Sequence, residues 1–378
     1  MLVSTVFTRK SAMEDVIVKQ RLLGKGTYGK VYMAVCRDGG LLLAVKSSAF
    51  TRSSFVLREK DILLSLSDCP DVVQCFGGYA SIEVDGYLVY NLLLEYAPGG
   101  SLKTLMKRRG GKLSEPEVRH YARMIVRGLC HMHERGLTHC DLKPDNVLVF
   151  PGKDGGNVVK IADFGMARRD GEQEVLEVRF RGTAAYMSPE SLAFEEYEAP
   201  MDVWSLGCTV VELVTGQRPW NRCKGVNEIV EHVVVKSEVP NIPKYLSESG
   251  KDFLVRCFER DPRRRWTAEK LMNHSFVTPT PTQMVMNDLP PSRCCHPHRP
   301  QACLLWWSVL VLHRLQLLVW FLLHGIPFLP GCIIFLQCFQ IFHFLPDAVR
   351  LRLIPRSLLI VHCFRVILFL LFGSDFDQ

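Results

Sequence analysis

Two charged residue types are missing from the last part of this chain. No lysine follows Lys270 and no glutamate follows Glu269, although 108 of the 378 residues come after Lys270. Leu, Phe, Cys and Trp are abundant there instead. A globular domain normally carries both charged types on its surface. The sequence therefore divides at about residue 277 into a charged globular part and a part of a different kind.

Paired cysteine spacing and a signal peptide are also lacking. None of the fourteen cysteines forms a C-x-x-C pair, and the N-terminus has no apolar run of the secretory type. We therefore expect reduced thiols in a cytoplasmic protein rather than a disulfide framework. The net charge of +7 is small and spread along the chain, so it does not indicate a nucleic-acid partner.

Three glycines are closely spaced near the N-terminus. Residues 24–31 read G-K-G-T-Y-G-K-V and fit the pattern G-x-G-x-x-G-x-V. A dinucleotide-binding turn has similar glycines, but a helix follows there, whereas residues 31–35 here predict a strand. Glycine suits a loop whose backbone closes over phosphates, because it has no Cβ. A glycine-rich hairpin without a ligand is the alternative interpretation.

Polar residues of defined type then follow at wide intervals. Lys46 ends the strand-like sequence L-A-V-K, and Glu59 lies in a stretch of helical periodicity, residues 58–66. Residues 139–146 read H-C-D-L-K-P-D-N, and residues 163–165 read D-F-G. Each of these residues alone is an ordinary solvated side chain or turn former. The ordered set has the groups needed to orient a hydroxyl beside a metal-bound phosphate.

This order of motifs resembles that of eukaryotic protein kinases of the serine/threonine type. Lysine followed by proline in the loop at 139–146 is the serine/threonine form. The sequence of residues 202–220 is most similar to the MAP kinase kinase kinase branch, and that of residues 139–146 to its plant members. The resemblance implies an α+β fold of two lobes, a small β-rich one and a larger helical one. The expected domains are a 1–14 extension, a 15–277 kinase domain divided near residue 96, a 278–302 Pro-rich linker and a 303–378 apolar tail.

The same resemblance implies catalytic roles. Asp141 would orient the substrate hydroxyl, and Lys143 would stabilise the transferred phosphoryl group. Lys46 would reach the α- and β-phosphates while paired with Glu59. Thr183 would meet the catalytic aspartate and lysine beneath the substrate hydroxyl.

It also implies ATP and Mg²⁺ as cofactors. Asn146 and Asp163 would hold Mg²⁺, which prefers hard oxygen ligands. Leu94 would be the gatekeeper beside adenine, and backbone groups of Glu95 and Ala97 would bind that base. The implied ATP-binding residues are Leu23, Gly24, Lys25, Gly26, Thr27, Tyr28, Gly29, Val31, Ala44, Lys46, Leu94, Glu95 and Ala97.

Several further residues would support the site. A capping box, S-E-P-E at 114–117, predicts a helix running to about Arg135 and ending at Gly136. Glu190 would pair with Arg265, and Asp202 would hold the backbone of the catalytic loop. The implied structural residues are His139, Phe164, Gly165, Glu190, Asp202 and Arg265.

One position departs from the family pattern. Cys140 stands where most members have an arginine that contacts a phosphorylated activation loop, and a thiol cannot form that ion pair. Residues 165–182 contain no Ser, Thr or Tyr but include Glu172, Glu174 and Glu177. We therefore expect activity that needs no phosphorylation within this stretch. Cys140 itself is either a redox-sensitive thiol or an inert apolar filler.

The tail has three interpretations. Residues 303–323 are long enough to span a bilayer, but Arg314 near the middle makes insertion marginal. The tail is a membrane anchor, a partner-binding or autoinhibitory segment, or non-native sequence such as translated non-coding DNA, since its composition matches T-rich codons.

The predicted function is transfer of the ATP γ-phosphoryl group to protein Ser or Thr hydroxyls, with a MAP kinase kinase as substrate by analogy with the branch. The rivals are a pseudokinase scaffold, which would normally lack one of the key polar residues, and a membrane-tethered signalling adaptor, which would need the tail to be a real anchor.

Overall fold

The computed structural model describes residues 16–26, 29–37, 39–83, 85–172 and 181–278. The chain divides into two compact units, Met1–Leu289 and Pro290–Gln378, and the described residues all belong to the first. The 1–14 extension, the apolar tail and all of the Pro-rich linker except Thr278 lie outside them. Within the described part of the chain, no helix is long and apolar enough to cross a membrane.

Five antiparallel strands form a sheet in the first part of the chain, in the order β1-β2-β3-β5-β4. The central strand, β3, is buried from Leu43 to Ser48. A lysine on this strand is therefore enclosed by neighbouring strands rather than solvated. The bounds are β1 Ile17–Gly26, β2 Gly29–Cys36, β3 Leu42–Ala49, β4 Cys75–Ile82 and β5 Leu88–Glu95.

One helix, α1 (Ser53–Ser65), packs against this sheet and confirms the helix expected around Glu59. Val56, Ile62 and Leu63 are buried on one side of it, at the spacing of a helical stripe. Glu59 lies on that same buried side. An acidic residue in this position needs a cationic partner, because an unpaired buried carboxylate is costly.

Helices dominate the second part. Helix α3 opens on the predicted capping box: Glu117 accepts the backbone N–H of Ser114 at 3.1 Å. It ends at His133, two residues before the expected end, and Gly136 follows with a left-handed φ of 63°. The bounds are α2 Leu102–Arg108, α3 Glu115–His133, α4 Pro189–Phe194, α5 Ala199–Thr215, α6 Val226–Val230, a π-helical turn Glu231–Val235, α7 Glu248–Cys257 and α8 Ala268–Met272.

Helix α5 forms the centre of this part, since every residue from Met201 to Val214 is buried. A helix that is apolar on all sides belongs in the core. At Gly207 a Cβ would lie 2.7 Å from the Phe258 ring, so glycine permits the close approach of the segment that ends α7. Because α5 is packed on every side, its few polar side chains are held in place and can orient the loops that bind to them.

Short strands connect the helices to the site. β7 (Val147–Pro151) and β8 (Asn157–Ile161) form an antiparallel hairpin whose turn contains three glycines, Gly152, Gly155 and Gly156. β6 (Leu137–Thr138) pairs with β9 (Arg168–Arg169), so the residues before His139 lie beside those that follow Asp163. The predicted two-lobed α+β architecture, an antiparallel N-terminal sheet followed by a helical lobe, is thereby confirmed.

Candidate active site

A lysine lies between two carboxylates where the sheet meets the helical lobe. Lys46 Nζ is 2.6 Å from Glu59 Oε2 and 2.7 Å from Asp163 Oδ1. The second oxygen of Glu59 accepts the backbone N–H of Phe164 at 3.2 Å. Three residues spread over 117 positions of sequence thus meet at one ammonium group.

The charges in this group differ in exposure. Burial acts to lower the pKa of Lys46, but Glu59 and Asp163 outweigh it and raise that pKa above its ordinary value. Burial likewise acts to raise the pKa of Asp163, and the attraction to Lys46 exceeds it, so the pKa is lowered. Glu59 is 1% exposed, whereas the side chain of Asp163 is 45% exposed. The Glu59 carboxylate is therefore enclosed with the lysine, whereas the Asp163 carboxylate still faces solvent.

A second network surrounds Asp141. Lys143 Nζ donates to Asp141 Oδ2 at 2.6 Å and to Thr183 Oγ1 at 2.8 Å. The Thr183 hydroxyl in turn donates to Asp141 Oδ1 at 2.7 Å. Asn146 Nδ2 donates to the Asp141 carbonyl at 2.8 Å and to its Oδ2 at 3.0 Å. Both oxygens of the aspartate are held, so its orientation is defined.

Backbone hydrogen bonds join the two networks. The N–H of Ala162 donates to the Asn146 carbonyl at 2.9 Å, and Asp163 is the next residue. His139 Nε2 lies 3.0 Å from the Ala162 carbonyl, and its Nδ1 accepts the N–H of Asp141 at 3.2 Å. This pattern requires the tautomer with hydrogen on Nε2. One buried histidine ring thereby links the residue before Asp163 to Asp141.

The scaffold beneath the loop comes from the central helix. Asp202 accepts the backbone N–H of His139 at 2.8 Å and that of Cys140 at 3.0 Å. Its Oδ2 also lies 2.9 Å from His133 Nε2. The His139 ring packs edge-on against Phe164 with centroids 5.0 Å apart. Phe164 and Gly165 are both buried in the short helix that follows Asp163.

Cys140 is an enclosed thiol. It is 1% exposed, and burial raises its pKa well above the ordinary value for a cysteine. A Cβ on Gly182 would lie 2.5 Å from the Cys140 carbonyl oxygen, so the activation segment returns closely over this residue. A protonated, inaccessible thiol is not nucleophilic. The structure favours the inert filler over the redox-sensitive group.

The glycine-rich residues border this region along β1 and β2. Lys25 pairs with Lys30, and Val31 of β2 lies opposite Lys46 of β3. A Cβ at Gly29 would lie 2.2 Å from the Ser47 carbonyl oxygen, so no larger residue fits there. The remaining predicted members that are described, Leu23, Gly24 and Gly26, lie on β1. Thr27 and Tyr28, between the two strands, lie outside the described residues.

The predicted adenine-binding residues lie at the end of β5 and in the connector that follows it. Leu94 of β5 lies opposite Ala44 of β3. The N–H of Glu95 donates to the Gln74 carbonyl at 2.9 Å, and its carboxylate binds Lys160 at 2.7 Å. Glu95 therefore has only its carbonyl to offer a ligand along the backbone. Ala97 follows in the connector to the helical lobe.

A buried ion pair braces the helical lobe far from the two networks. Arg265 binds Glu190 with both ends of its guanidinium group, at 2.6 and 3.0 Å. It also donates to the carbonyls of Glu259 at 2.7 Å and Pro200 at 2.9 Å. These extra acceptors offset the desolvation of the charge.

The sequence did not identify one contact near the site. Arg58, on α1, donates to Glu172 Oε2 at 2.5 Å. In the sequence Glu172 is one of three acidic residues in the stretch 165–182, and nothing local pairs it with Arg58, which lies 114 residues away.

Comparison with known proteins agrees with this geometry. A match to the protein kinase domain covers residues 17–277. Mitogen-activated protein kinase kinase kinase 20 of Arabidopsis thaliana is 45% identical over 271 residues, 69% of this chain and 78% of that protein. Kinases 17 and 18 of the same series and organism are 40% and 39% identical over 264 and 276 residues, covering 69% and 70% of this chain and 69% and 78% of theirs. The chain belongs to the protein kinase family and is a serine/threonine kinase similar to plant MAP kinase kinase kinases.

Proposed function

We propose that this kinase transfers the γ-phosphoryl group of ATP to a Ser or Thr hydroxyl of a MAP kinase kinase. The observation that carries the proposal is the pairing of Lys46 with Glu59 and Asp163 at once. This pairing holds the buried ammonium group of Lys46 where the phosphates of ATP would need a positive charge. The names of the relatives supply the substrate class, since each is a MAP kinase kinase kinase.

Asp141 is assigned to the acceptor hydroxyl. Its carboxylate already accepts a hydrogen bond from the hydroxyl of Thr183, so its protein partners are a threonine hydroxyl, an ammonium group and an amide. A carboxylate held this way can orient a second hydroxyl and accept its proton. Lys143, bound to both Asp141 and Thr183, places an ammonium group beside the position of that hydroxyl and is assigned to the transferred phosphoryl group.

The residues present suit ATP and Mg²⁺. Asp163 is a half-exposed carboxylate beside a committed ammonium group, and the amide nitrogen of Asn146 is used by Asp141, which leaves its oxygen for a cation. These two residues would hold Mg²⁺, which neutralises phosphate charge when bound. The carbonyl of Glu95 and the N–H of Ala97 would meet adenine beside Leu94, and the glycines of β1 and β2 would cover the phosphates.

We further propose that activity needs no phosphate within residues 165–182. The support is chemical: the stretch has no hydroxyl-bearing side chain, and Cys140 places a neutral thiol where a phosphate-binding arginine would otherwise be.

The test is phosphoryl transfer by the full chain after phosphatase treatment. The substrates are kinase-inactive MAP kinase kinases and a generic Ser/Thr protein, and the variants are Lys46→Met and Asp141→Asn. We expect wild-type transfer to at least one MAP kinase kinase and a loss of about a hundredfold or more in both variants. Equal signal in all three proteins would contradict the enzyme proposal and favour a scaffold. Transfer to the generic protein alone would contradict the substrate class. Because residues 165–182 carry no hydroxyl, loss of activity on phosphatase treatment would indicate a phosphate elsewhere, and an activating phosphate mapped to Thr183 would contradict phosphate-independent activity.

A further inference from the structure

A cluster of three arginines acts electrostatically on the catalytic loop at Cys140. Arg58 comes from α1, Arg168 from β9, and Arg181, which is 2% exposed, from the end of the activation segment. Their positive charges act to lower the pKa of the Cys140 thiol, against the rise that burial and the charge of Asp202 impose. Like charges in such a cluster repel each other, and a carboxylate beside one of them relieves that repulsion.

Glu172 provides a carboxylate at this cluster. Its Oε2 is 2.5 Å from Arg58 Nη2 and also accepts the backbone N–H of Arg169 at 3.2 Å. The Arg58 and Glu172 side chains are 18% and 34% exposed, so the pair is partly withdrawn from solvent. A charge-assisted contact in such a place is stronger than a fully exposed surface pair.

The pair joins two elements that must be aligned for the site to form. Glu172 lies three residues beyond β9, which is anchored to β6 just before the catalytic loop. Arg58 directly precedes Glu59, the residue that holds Lys46. A second bond, from Arg169 Nη2 to Ser65 Oγ at 3.1 Å, fixes the far end of α1 to the same segment. The activation segment therefore binds α1 at two residues, at Arg58 beside Glu59 and at Ser65.

We propose that Glu172 is a positioning residue whose permanent charge holds Arg58, and through it helix α1, so that Glu59 meets Lys46. This inference deepens the proposed function and rests on it for the claim that no phosphate is required. A carboxylate carries its charge at all times, whereas a phosphorylated side chain carries it only after modification. The neutral Cys140 adds no further positive charge to the influences of Arg58, Arg168 and Arg181 at this position.

The experiment compares phosphatase-treated full-length variants on the generic Ser/Thr protein substrate. Glu172→Gln removes one charge at nearly constant shape, and Arg58→Gln removes the opposite charge while keeping a shorter polar side chain. The double variant tests coupling, and the exchange Arg58→Glu with Glu172→Arg restores an ion pair of reversed polarity. Glu231→Gln is the matched control, since Glu231 forms an exposed pair with Lys236 at 2.9 Å, away from the site.

We expect kcat to fall about tenfold in each single variant, with the KM for the protein substrate and the melting temperature nearly unchanged. The double variant should be no worse than either single one, and the exchange should recover most of the loss. Amide hydrogen exchange across residues 53–65, measured without nucleotide, should be faster in Glu172→Gln than in wild type and unchanged in Glu231→Gln.

Unchanged kcat in both single variants, additive losses in the double variant, or a fall in melting temperature in Glu172→Gln that by itself accounts for the lost activity would each overturn the proposal. The hydrogen-exchange measurement tests the proposal even if the wild-type chain shows no phosphoryl transfer, because the mobility of α1 does not depend on turnover. An inactive wild type would contradict the proposed function, whereas an active wild type with unaffected variants would contradict only the role of Glu172.

Discussion

Asp202 accepts the backbone N–H of Cys140 at 3.0 Å, and this contact supports a left-handed residue, with φ 67°, immediately before Asp141. Such a conformation is uncommon for a residue with a Cβ and persists where surrounding contacts enforce it. The other oxygen of Asp202 holds the N–H of His139. Helix α5, which is buried from Met201 to Val214, thus determines where Asp141 lies.

Replacing Asp202 with asparagine should destabilise the protein, because an amide has one acceptor oxygen and would turn a donor toward a backbone N–H. We expect the free energy of unfolding to fall by about 2–4 kcal/mol, since both donors are buried. Denaturant titration at pH 7 measures this change. Asp68→Asn is the control: its side chain is 61% exposed, so a loss within about 0.5 kcal/mol is expected. Equal losses in the two variants would contradict the role assigned to Asp202.

The Lys46→Met variant should show a stability loss that depends on pH. Burial already raises the pKa of Glu59 against the opposing effect of Lys46, and without the lysine the rise should be larger. A carboxyl whose pKa is raised in the folded state destabilises the fold fully above that pKa, and this penalty disappears as the pH falls from the folded-state pKa to the unfolded-state pKa. The loss in the free energy of unfolding should therefore be greatest at about pH 8, at roughly 2–4 kcal/mol, and should shrink toward about pH 5.

Unfolding free energies of Lys46→Met and of Lys46→Met with Glu59→Gln, measured across that pH range, check this expectation. The added Glu59→Gln change should remove the part of the pH dependence that comes from Glu59, since the amide does not titrate, and leave the smaller part that comes from the more exposed Asp163, whose pKa Lys46 also lowers. A loss that stays constant with pH in the single variant would argue against a buried carboxylate as its source.

Thr183 should act through its hydroxyl, which donates to Asp141 and accepts from Lys143. We expect Thr183→Ala to lower kcat about tenfold to a hundredfold, and Thr183→Ser to retain most activity, because serine keeps the hydroxyl. Thr183→Glu would place a second carboxylate beside Asp141 and should abolish turnover. Steady-state assays on one generic substrate compare the three variants. Activation by Thr183→Glu would show that modification of this residue promotes rather than blocks activity.

Restoring an arginine at position 140 should harm the protein. Cys140→Arg would bury a fourth cation near Arg58, Arg168 and Arg181 with no added anion. We expect a loss of about 3–5 kcal/mol, the cost typical of an unpaired buried charge, against less than about 1.5 kcal/mol for Cys140→Ser. Thermal and chemical unfolding measure both variants. Comparable stability of Cys140→Arg and wild type would show that the cluster holds spare negative charge.

Alkylation of the folded protein gives an independent check on Cys140. Iodoacetamide at neutral pH should leave this thiol unmodified, because burial keeps it protonated and inaccessible. Mass spectrometry of the labelled peptides reports the result, and modification of Cys140 accompanied by loss of activity would favour a redox-sensitive thiol.

Much of the architecture was readable from local pattern. The capping box at Ser114 predicted the start of α3, and the apolar spacing around Glu59 predicted α1, because helix initiation and amphipathicity act over one or two turns. The two-lobed fold followed from resemblance to a family. The exact end of α3 did not follow, since helix termini depend on the contacts of the last turn.

The sequence by itself determined which side chains are candidates for catalysis. Lys46, Asp141 and Asp163 stand in motifs whose residue types suit phosphate chemistry. Only the tertiary structure decided which charges meet. Arg58 and Glu172 are 114 residues apart, and each looks like a solvated surface residue in its own segment. Their contact exists because β9 pairs with β6 and brings the activation segment to α1, and long-range pairing of that kind leaves no local signal in a single sequence.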